Sequence, residues 1–305
     1  MDFENRDIIS IRDFSKEELL YILKISKHME EKPEPSLLND KIMGSLFFEP
    51  STRTRLSFES AMEQLGGRVI GFAESGVTSA KKGENLFDTI KMVEQYADVI
   101  VQRHPIEGSA RLAAEASSKP VINAGDGANQ HPTQTLLDLY TILKEKGQLE
   151  NLNIGFCGDL KYGRTVHSLV IALSYFNAKI FFIAPDQLQI PQEYLEDLDA
   201  KKIRYVLEKN LNKVSNELDV LYMTRIQKER FPDPLEYQRL KGVYQIGLKL
   251  LDHAKKDIKI MHPLPRVDEI KSELDATENA VYFKQAGNGI YVRKAILALV
   301  LGKIK

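Results

Sequence analysis

Apolar residues along the chain alternate between helical spacing and short uninterrupted runs. The helical spacing predicts a helix that Ser15 and Glu18 cap and that ends at 32–35. It predicts further helices at 57–65, 85–96, 109–117, 132–146, 164–176 and 288–301. The uninterrupted runs predict strands at 41–48, 69–72, 99–102, 121–123, 154–157, 179–183, 220–224 and 258–261. Strands that alternate with helices indicate an α/β fold of mainly parallel sheets flanked by helices.

The strands fall into two series, and a length of 305 residues also favours two domains. We therefore predict a first domain over 1–146, with the C-terminal helix at 288–305 packed back on it, and a second domain over 147–287. Helices would join the two.

Composition excludes several classes of protein. Forty-two basic residues stand against 43 acidic ones, a net charge of −1, which argues against broad binding of nucleic acid or of an anionic membrane surface. No apolar run approaches the ~18 residues of a membrane span. Cys157 is the single cysteine, so it forms neither an intrachain disulfide nor a cysteine-based metal site, and we expect it in the core. The start of the sequence does not resemble a signal peptide, so we expect a cytoplasmic protein.

Polar residues concentrate directly after the predicted strands, where ligands bind in open parallel sheets. Seven of the 14 arginines lie in these strand-end segments: Arg53, Arg55, Arg103, Arg164, Arg225, Arg230 and Arg266. Such clustering predicts a cationic site whose ligands are small and carry several negative charges.

The segment at 49–55 combines hydroxyl groups and guanidinium groups at the predicted start of a helix. Backbone N–H groups and the helix dipole favour an anion there, and Arg53 is able to grip a phosphate with two hydrogen bonds. The alternative is an ordinary helix cap with solvated arginines. The segment is not a P-loop, because the required glycine and lysine spacing is missing.

His131 precedes a predicted helix and lies one turn from Gln134, which favours a role as a hydrogen-bond donor or as an acid or base. His28, His167 and His253 are interpreted as polar side chains satisfied by neighbours. His262 lies beside two prolines, and this segment could serve only to fix the shape of the backbone. The histidines lack the spacing of metal ligands, so we expect no metal.

A loop of small and hydroxyl residues at 75–84 frames Lys81 and Lys82. A solvated mobile loop is the simple interpretation, and a lid that brings cations onto an anionic ligand is the functional one. The turn at 158–163 has two glycines at the wrong spacing for a dinucleotide, so a nicotinamide dehydrogenase is disfavoured.

Three motifs in this order resemble the aspartate/ornithine carbamoyltransferase family: Ser-Thr-Arg-Thr-Arg at 51–55, His-Pro-Thr-Gln at 131–134 and His-Pro-Leu-Pro-Arg at 262–266. The likeness covers nearly the whole chain. The third motif, together with Tyr-Met-Thr-Arg-Ile-Gln-Lys-Glu-Arg at 222–230, is similar to the aspartate branch. The Ser-Met-Gly loop and the His-Cys-Leu-Pro motif of the ornithine branch are missing.

The resemblance implies transfer of the carbamoyl group of carbamoyl phosphate to the amine of L-aspartate, an early step of pyrimidine synthesis. It implies that the phosphate is held by Ser51, Arg53, Thr54 and Arg103. Thr54, Arg103 and His131 would polarise the carbonyl group. The carbamoyl NH2 would be oriented by Gln134 and by the backbone carbonyls of Leu264 and Pro265.

Further implications concern aspartate and assembly. Arg164 and Arg225 would bind the two carboxylates of aspartate, with Gln227 nearby, and Lys82 would contact both substrates. The resemblance implies a homotrimer in which a neighbouring subunit donates Ser79 and Lys82, and separate regulatory chains are possible. It also implies that Glu49 binds Arg164 and Arg230 when the domains close, and that no metal or organic cofactor takes part.

Two other hypotheses stay open. The first is a related carbamoyltransferase with a different amino-acid substrate, which would differ at Arg225 and Gln227. The second is a non-catalytic anion-binding or regulatory protein with the same fold, against which the intact His131 and Lys82 argue.

Overall fold

The strands of the computed structural model, which describes residues 1–77, 79–226 and 242–304, lie in two separate parallel sheets. The chain divides accordingly into two units, the first formed by Met1–Tyr140 and Gly287–Lys305 and the second by Thr141–Ala286. The division after Tyr140 falls inside a helix that the sequence analysis assigned wholly to the first domain.

The first unit is built on a four-stranded sheet of order β2-β1-β3-β4. Its strands are β1 (Ile42–Phe47), β2 (Arg68–Phe72), β3 (Val99–His104) and β4 (Val121–Asp126). Its helices are α1 (Lys16–Glu31), α2 (Thr52–Gln64), α3 (Leu86–Val93) and α4 (Ser109–Ala116). Every pairing is parallel, so the carboxyl ends of β1, β3 and β4 share one edge of the sheet.

The second unit contains a five-stranded sheet of order β7-β6-β5-β8-β9. Its strands are β5 (Asn153–Cys157), β6 (Lys179–Ile183), β7 (Tyr205–Glu208), β8 (Val220–Met223) and β9 (Lys259–Met261). The helices α6 (Arg164–Leu173) and α7 (Gln192–Ala200) belong to it. Two helices cross from one unit to the other, α5 (Pro132–Lys146) and α8 (Tyr282–Val300).

Local sequence and burial explain where these elements lie. The Ser15 side chain accepts the Glu18 N–H, and the Glu18 carboxylate accepts the Ser15 N–H, so the predicted capping box opens α1. β4 is buried throughout, whereas the edge strand β2 is mostly exposed. The alternating helices and parallel strands confirm the predicted α/β fold.

Each unit has its own apolar core. Residues of the first core include Leu46, Ile90 and Ile100. The second core contains Cys157, which is fully buried as expected, and burial raises the pKa of its thiol.

Several elements differ from their predicted bounds. α2 starts at Thr52 rather than at residue 57, because its first turn is polar and lacks the apolar spacing that marks a helix. α8 starts at Tyr282, earlier than expected, although Gly287 and Gly289 weigh against helix by propensity. β3 and β4 run on to His104 and Asp126, so Arg103 lies within a strand rather than after it. α7 and β7 were not predicted from the sequence.

Among the helices of the described residues, none has the length and apolar character that crossing a membrane requires.

Candidate active site

The segment between β1 and α2 presents a helix N-terminus at the carboxyl edge of the first sheet. Ser51 is the N-cap residue, and its extended backbone carries a side chain that makes no capping hydrogen bond. Thr54 is buried, whereas Arg53 is exposed. The first N–H groups of a helix lack intrahelical partners and carry a partial positive charge. This segment therefore has the features of an anion site.

Arg103 lies beside this helix start, because β3 pairs directly with β1. Its Nε is 3.3 Å from Oε2 of Glu49, and its Nη1 is 3.5 Å from the carbonyl oxygen of Ala124. Only 13% of the Arg103 side chain is exposed. The guanidinium is thus held at the ends of three neighbouring strands, within the same edge of the sheet as Ser51.

A buried carboxylate shapes the turn from β4 to α5. Asp126 Oδ1 accepts the Gln130 N–H at 3.1 Å and the Asn123 side-chain amide at 2.9 Å. Asp126 Oδ2 accepts the Gly108 N–H and the Asn129 side-chain amide, both at 3.0 Å. These four hydrogen bonds tie the turn to the sheet and so fix where α5 begins. No role for Asp126 was predicted from the sequence.

His131 and Gln134 lie at the start of α5 and are almost fully buried, with 4% and 9% of their surfaces exposed. The Gln134 N–H donates to the His131 carbonyl oxygen, which closes the first helical turn. The Gln134 amide nitrogen donates to Oδ1 of Asp138 at 2.9 Å. Because α5 follows β4, which pairs with the Arg103 strand β3, both predicted residues lie at the same edge of the sheet as Arg103.

The second unit has a corresponding edge at the ends of β5 and β8. The Asp159 N–H donates to the Thr224 hydroxyl at 2.9 Å, which ties the two strand ends together. Gly158 adopts φ of +121°, and a Cβ there would lie 2.3 Å from the Thr224 carbonyl oxygen, so only glycine fits this close approach. Arg164 begins α6, and Arg225 follows Thr224. Both arginines are half-buried beyond adjacent strands.

The segment after β9 is held by a buried histidine. His262 Nδ1 accepts the Leu264 N–H at 2.8 Å, so Nε2 carries the proton and donates to Glu269 Oε1 at 2.6 Å. Burial lowers the pKa of His262, which keeps the ring neutral. Burial opposes the charge of Glu269, but its hydrogen bonds to His262 and Val267 lower the pKa of that carboxyl. His262 therefore shapes the backbone at Leu264 and Pro265, in line with the simpler of its two interpretations.

Ser79 and Lys82 lie on a short exposed helical turn, Ser79–Lys82, in the first unit. Asn85 caps the helix α3 that follows the loop, by accepting the Asp88 N–H at 2.8 Å. Gln227 and Arg230 lie outside the described residues. In residues 1–77, 79–226 and 242–304, no group of three or more His, Cys, Asp or Glu side chains is arranged to hold a metal ion.

Both units of the chain match domains of one known protein family. Residues 6–144 match the carbamoyl-P binding domain of aspartate/ornithine carbamoyltransferase, and residues 150–300 match the Asp/Orn binding domain. The chain belongs to the aspartate/ornithine carbamoyltransferase family. It is 56% identical over 306 residues to the aspartate carbamoyltransferase catalytic subunit of Thermococcus kodakarensis, covering 99% of each chain.

Two solved structures of this family are also similar. The catalytic subunit of M. jannaschii aspartate transcarbamoylase is 54% identical, with a TM-score of 0.89 over 96% of each chain. Aspartate transcarbamoylase from Trypanosoma cruzi, in complex with carbamoyl phosphate and aspartate, is 39% identical, with a TM-score of 0.93 over 98% of each chain. The predicted carbamoyltransferase fold is thereby confirmed.

His167, close behind Arg164 on α6, shows how a buried histidine supports this carbamoyltransferase fold. Its Nε2 donates to the Leu160 carbonyl oxygen at 2.8 Å, and its ring stacks on Tyr194 with 4.4 Å between centroids. Burial lowers the pKa of His167 to about 4. The ring is thus neutral and structural, as predicted.

We predict that His167 makes the folded state sensitive to acid. The unfolded chain binds a proton at this residue near pH 6.5, and the folded protein does so only near pH 4. Stability from this group is therefore complete above pH 6.5 and is lost as the pH falls, by roughly 2 to 3 kcal/mol between pH 7 and 4.5. Urea unfolding of wild type and His167→Gln at both pH values measures this, because glutamine keeps the donor without titrating. Equal losses in the two proteins would contradict the prediction.

Proposed function

We propose that the chain transfers the carbamoyl group of carbamoyl phosphate to the amine of L-aspartate, giving N-carbamoyl-L-aspartate and phosphate for pyrimidine synthesis. The observation that carries the proposal is the division of cationic groups between two strand edges. One edge combines a helix N-terminus with Arg53 and Arg103, which suits a phosphate, and the other presents Arg164 and Arg225, which suit a dicarboxylate.

In this proposal the first unit holds carbamoyl phosphate. Ser51, Arg53, Thr54 and Arg103 bind the phosphate group. Thr54, Arg103 and His131 donate hydrogen bonds to the carbonyl oxygen and stabilise the negative charge that develops on it. Their positions support this assignment, because these residues end or follow β1, β3 and β4, whose carboxyl ends share one edge of the sheet.

The carbamoyl NH2 is oriented by acceptors, namely the side chain of Gln134 and the backbone carbonyls of Leu264 and Pro265. The role of the Leu264 and Pro265 carbonyls is supported by the hydrogen bonds of His262, which fix the backbone that carries those carbonyls.

Aspartate is bound by the second unit in this proposal. Arg164 and Arg225 bind its two carboxylates, with Gln227 alongside, and Lys82 contacts both substrates. Guanidinium groups suit this task because each grips a carboxylate with two parallel hydrogen bonds.

The reaction needs no covalent enzyme intermediate. The aspartate amine attacks the carbamoyl carbon, the bond from that carbon to the phosphate oxygen breaks, and the amine proton passes to the departing phosphate. Catalysis then consists of positioning, for which well-oriented reactants gain ~7–11 kcal/mol, and of charge stabilisation by the cationic groups.

We further propose that Glu49 changes partners when the domains close. In this structure its Oε2 lies 3.3 Å from Nε of Arg103. In the closed state it would bind Arg164 and Arg230 instead.

We also propose that the chain acts in the cytoplasm as a homotrimer that separate regulatory chains can bind. Self-association is supported by large apolar side chains that the first unit exposes, including Leu56, Ile70, Phe87 and Met92. The exposed Lys82 and Ser79 would then reach the active site of the neighbouring subunit.

An assay of carbamoyl transfer tests the proposed function. With carbamoyl phosphate and L-aspartate, the purified protein is expected to release phosphate and N-carbamoyl-L-aspartate. L-ornithine in place of aspartate should give far less product, because one of the two arginines, Arg164 or Arg225, would then face an ammonium group. Activity with ornithine alone, or with neither amine, would refute the proposal.

Two arginine variants should distinguish the group that stabilises developing charge from the group that binds aspartate. Arg53→Ala is expected to lower kcat by ~10²–10³, the usual cost of one lost donor to developing charge. Arg225→Ala is expected to raise KM for aspartate and to leave carbamoyl phosphate binding unchanged. Steady-state kinetics and direct binding measure these effects. Near-normal turnover of Arg53→Ala, or equal weakening of both ligands in Arg225→Ala, would contradict the assigned roles.

Mixing inactive subunits tests the donation of Lys82. Arg53→Ala and Lys82→Ala proteins should each have little activity alone. Dissociating them together and reassembling mixed trimers should restore activity, because some sites then combine the intact Arg53 of one chain with the intact Lys82 of its neighbour. Absence of any gain over reassembled single variants would mean that Lys82 acts within its own chain.

A further inference from the structure

Behind the start of α5 lies a cluster of three buried polar side chains, Gln134, Asp138 and Arg293. They expose 9%, 0% and 3% of their surfaces. Gln134 and Asp138 are one turn apart on α5, and Arg293 comes from α8. All three belong to the first unit. The reaction as proposed uses only Gln134, so the acid and the cation behind it need a separate explanation.

The hydrogen bond between Gln134 and Asp138 determines which way the amide faces. The amide NH2 group of Gln134 donates to Asp138 Oδ1, 2.9 Å away, since a carboxylate oxygen accepts hydrogen bonds. The amide oxygen of Gln134 is then turned away from Asp138. A carbamoyl NH2 group has donors to offer and requires an acceptor, which this orientation supplies.

Arg293 places a positive charge within electrostatic range of Asp138. The two side chains attract each other electrostatically, although burial lowers the pKa of Arg293 to about 10, which leaves the guanidinium protonated at neutral pH. The guanidinium carbon also lies 4.9 Å from the ring centroid of Phe58 on α2. The cation thus connects α8, α5 and the helix that carries Arg53.

The backbone makes room for this cation. Gly289 lies one turn before Arg293 on α8, and a Cβ at that position would come within 2.2 Å of Arg293 Nη1. Such a contact forces the guanidinium to move, so glycine is needed for Arg293 to adopt this position.

Stability alone does not account for the cluster. Replacing a buried ion pair with apolar side chains of similar volume is often neutral or stabilising by about 1–4 kcal/mol. The hydrogen bond from Gln134 to Asp138 points to a role in orienting that amide.

We propose that Asp138 and Arg293 are positioning residues that lock the Gln134 amide with its oxygen toward the carbamoyl NH2. They would thereby select carbamoyl phosphate over acyl phosphates that lack this NH2 group. The inference rests on the proposed function, because it assigns the ligand that Gln134 faces.

Binding of three ligands to the intact protein tests the proposal. Carbamoyl phosphate carries the NH2 group, acetyl phosphate has a methyl group in its place, and inorganic phosphate has neither. In Asp138→Asn, the new amide can donate to the Gln134 oxygen and allow the side chain to turn over. We expect the affinity for carbamoyl phosphate to fall about tenfold, which corresponds to one lost hydrogen bond. The affinities for acetyl phosphate and inorganic phosphate should be unchanged.

Two substitutions on α8 test whether Arg293 contributes to the orientation of Gln134. Arg293→Met removes the cation, and Gly289→Ala displaces it without changing any charge. Both are expected to reduce the preference for carbamoyl phosphate over acetyl phosphate, and Arg293→Lys should retain more of it. Thermal unfolding of each variant identifies loss of fold, which would lower the affinities for all three ligands together.

A double mutant shows whether the effect passes through Gln134. In a Gln134→Ala background, Asp138→Asn should cause no further loss of preference. The inference is overturned if Asp138→Asn keeps the full preference, if it weakens all three ligands equally, or if its effect adds in full to that of Gln134→Ala. Failure of the wild type to carbamoylate aspartate would instead overturn the proposed function, whereas these binding ratios are measured without aspartate.

Discussion

Placing guanidinium groups at the carboxyl edge of a sheet or in its core costs electrostatic free energy, and the rest of this structure depends on how that cost is offset. Arg103 rests against Glu49, and buried Arg293 is balanced by Asp138. Parallel sheets add the second part of the solution, because their carboxyl edges gather helix N-termini and strand-end residues on one side. These cations are therefore held in position by carboxylates of the protein itself.

Carboxylates are used here to shape loops as well as to balance charge. Asp126 gathers four donors around the turn that leads to His131, and Glu269 anchors the histidine that supports Leu264 and Pro265. A buried carboxylate without partners is strongly destabilising, so each of these turns is stable only in the form that satisfies its acid. The backbone beside the candidate site residues is thus fixed by these two carboxylates.

Sequence patterns predicted the parts of the fold in which local and tertiary preferences agree. The capping box at Ser15 and the exact bounds of α5 are examples. Ser15 and Glu18 mark the start of α1, and Pro132 with the apolar spacing after it marks α5. β7 was missed because it lies at the sheet edge and is only partly buried, which leaves no clear apolar run. The start of α8 was missed because helix propensity counts against its glycines, whereas the space required by Arg293 favours one of them.

Some residues of the candidate site could likewise be predicted from the sequence, and others could not. Residues in short motifs, such as Arg53 and His131, could be proposed from their neighbours along the chain. Asp138 and Arg293 could not be paired from sequence, because more than a hundred residues separate them and only the packing of α8 against α5 reveals their charge interaction.

The single cysteine gives the molecule a built-in chemical reporter. Cys157 sits in the core of the second unit at the end of β5, next to the tie between Asp159 and Thr224. A thiol reagent reaches it only when that part of the sheet opens, and its raised pKa makes the reaction slow in the native state. The rate of labelling thus reports the opening of the second unit, without any engineered probe.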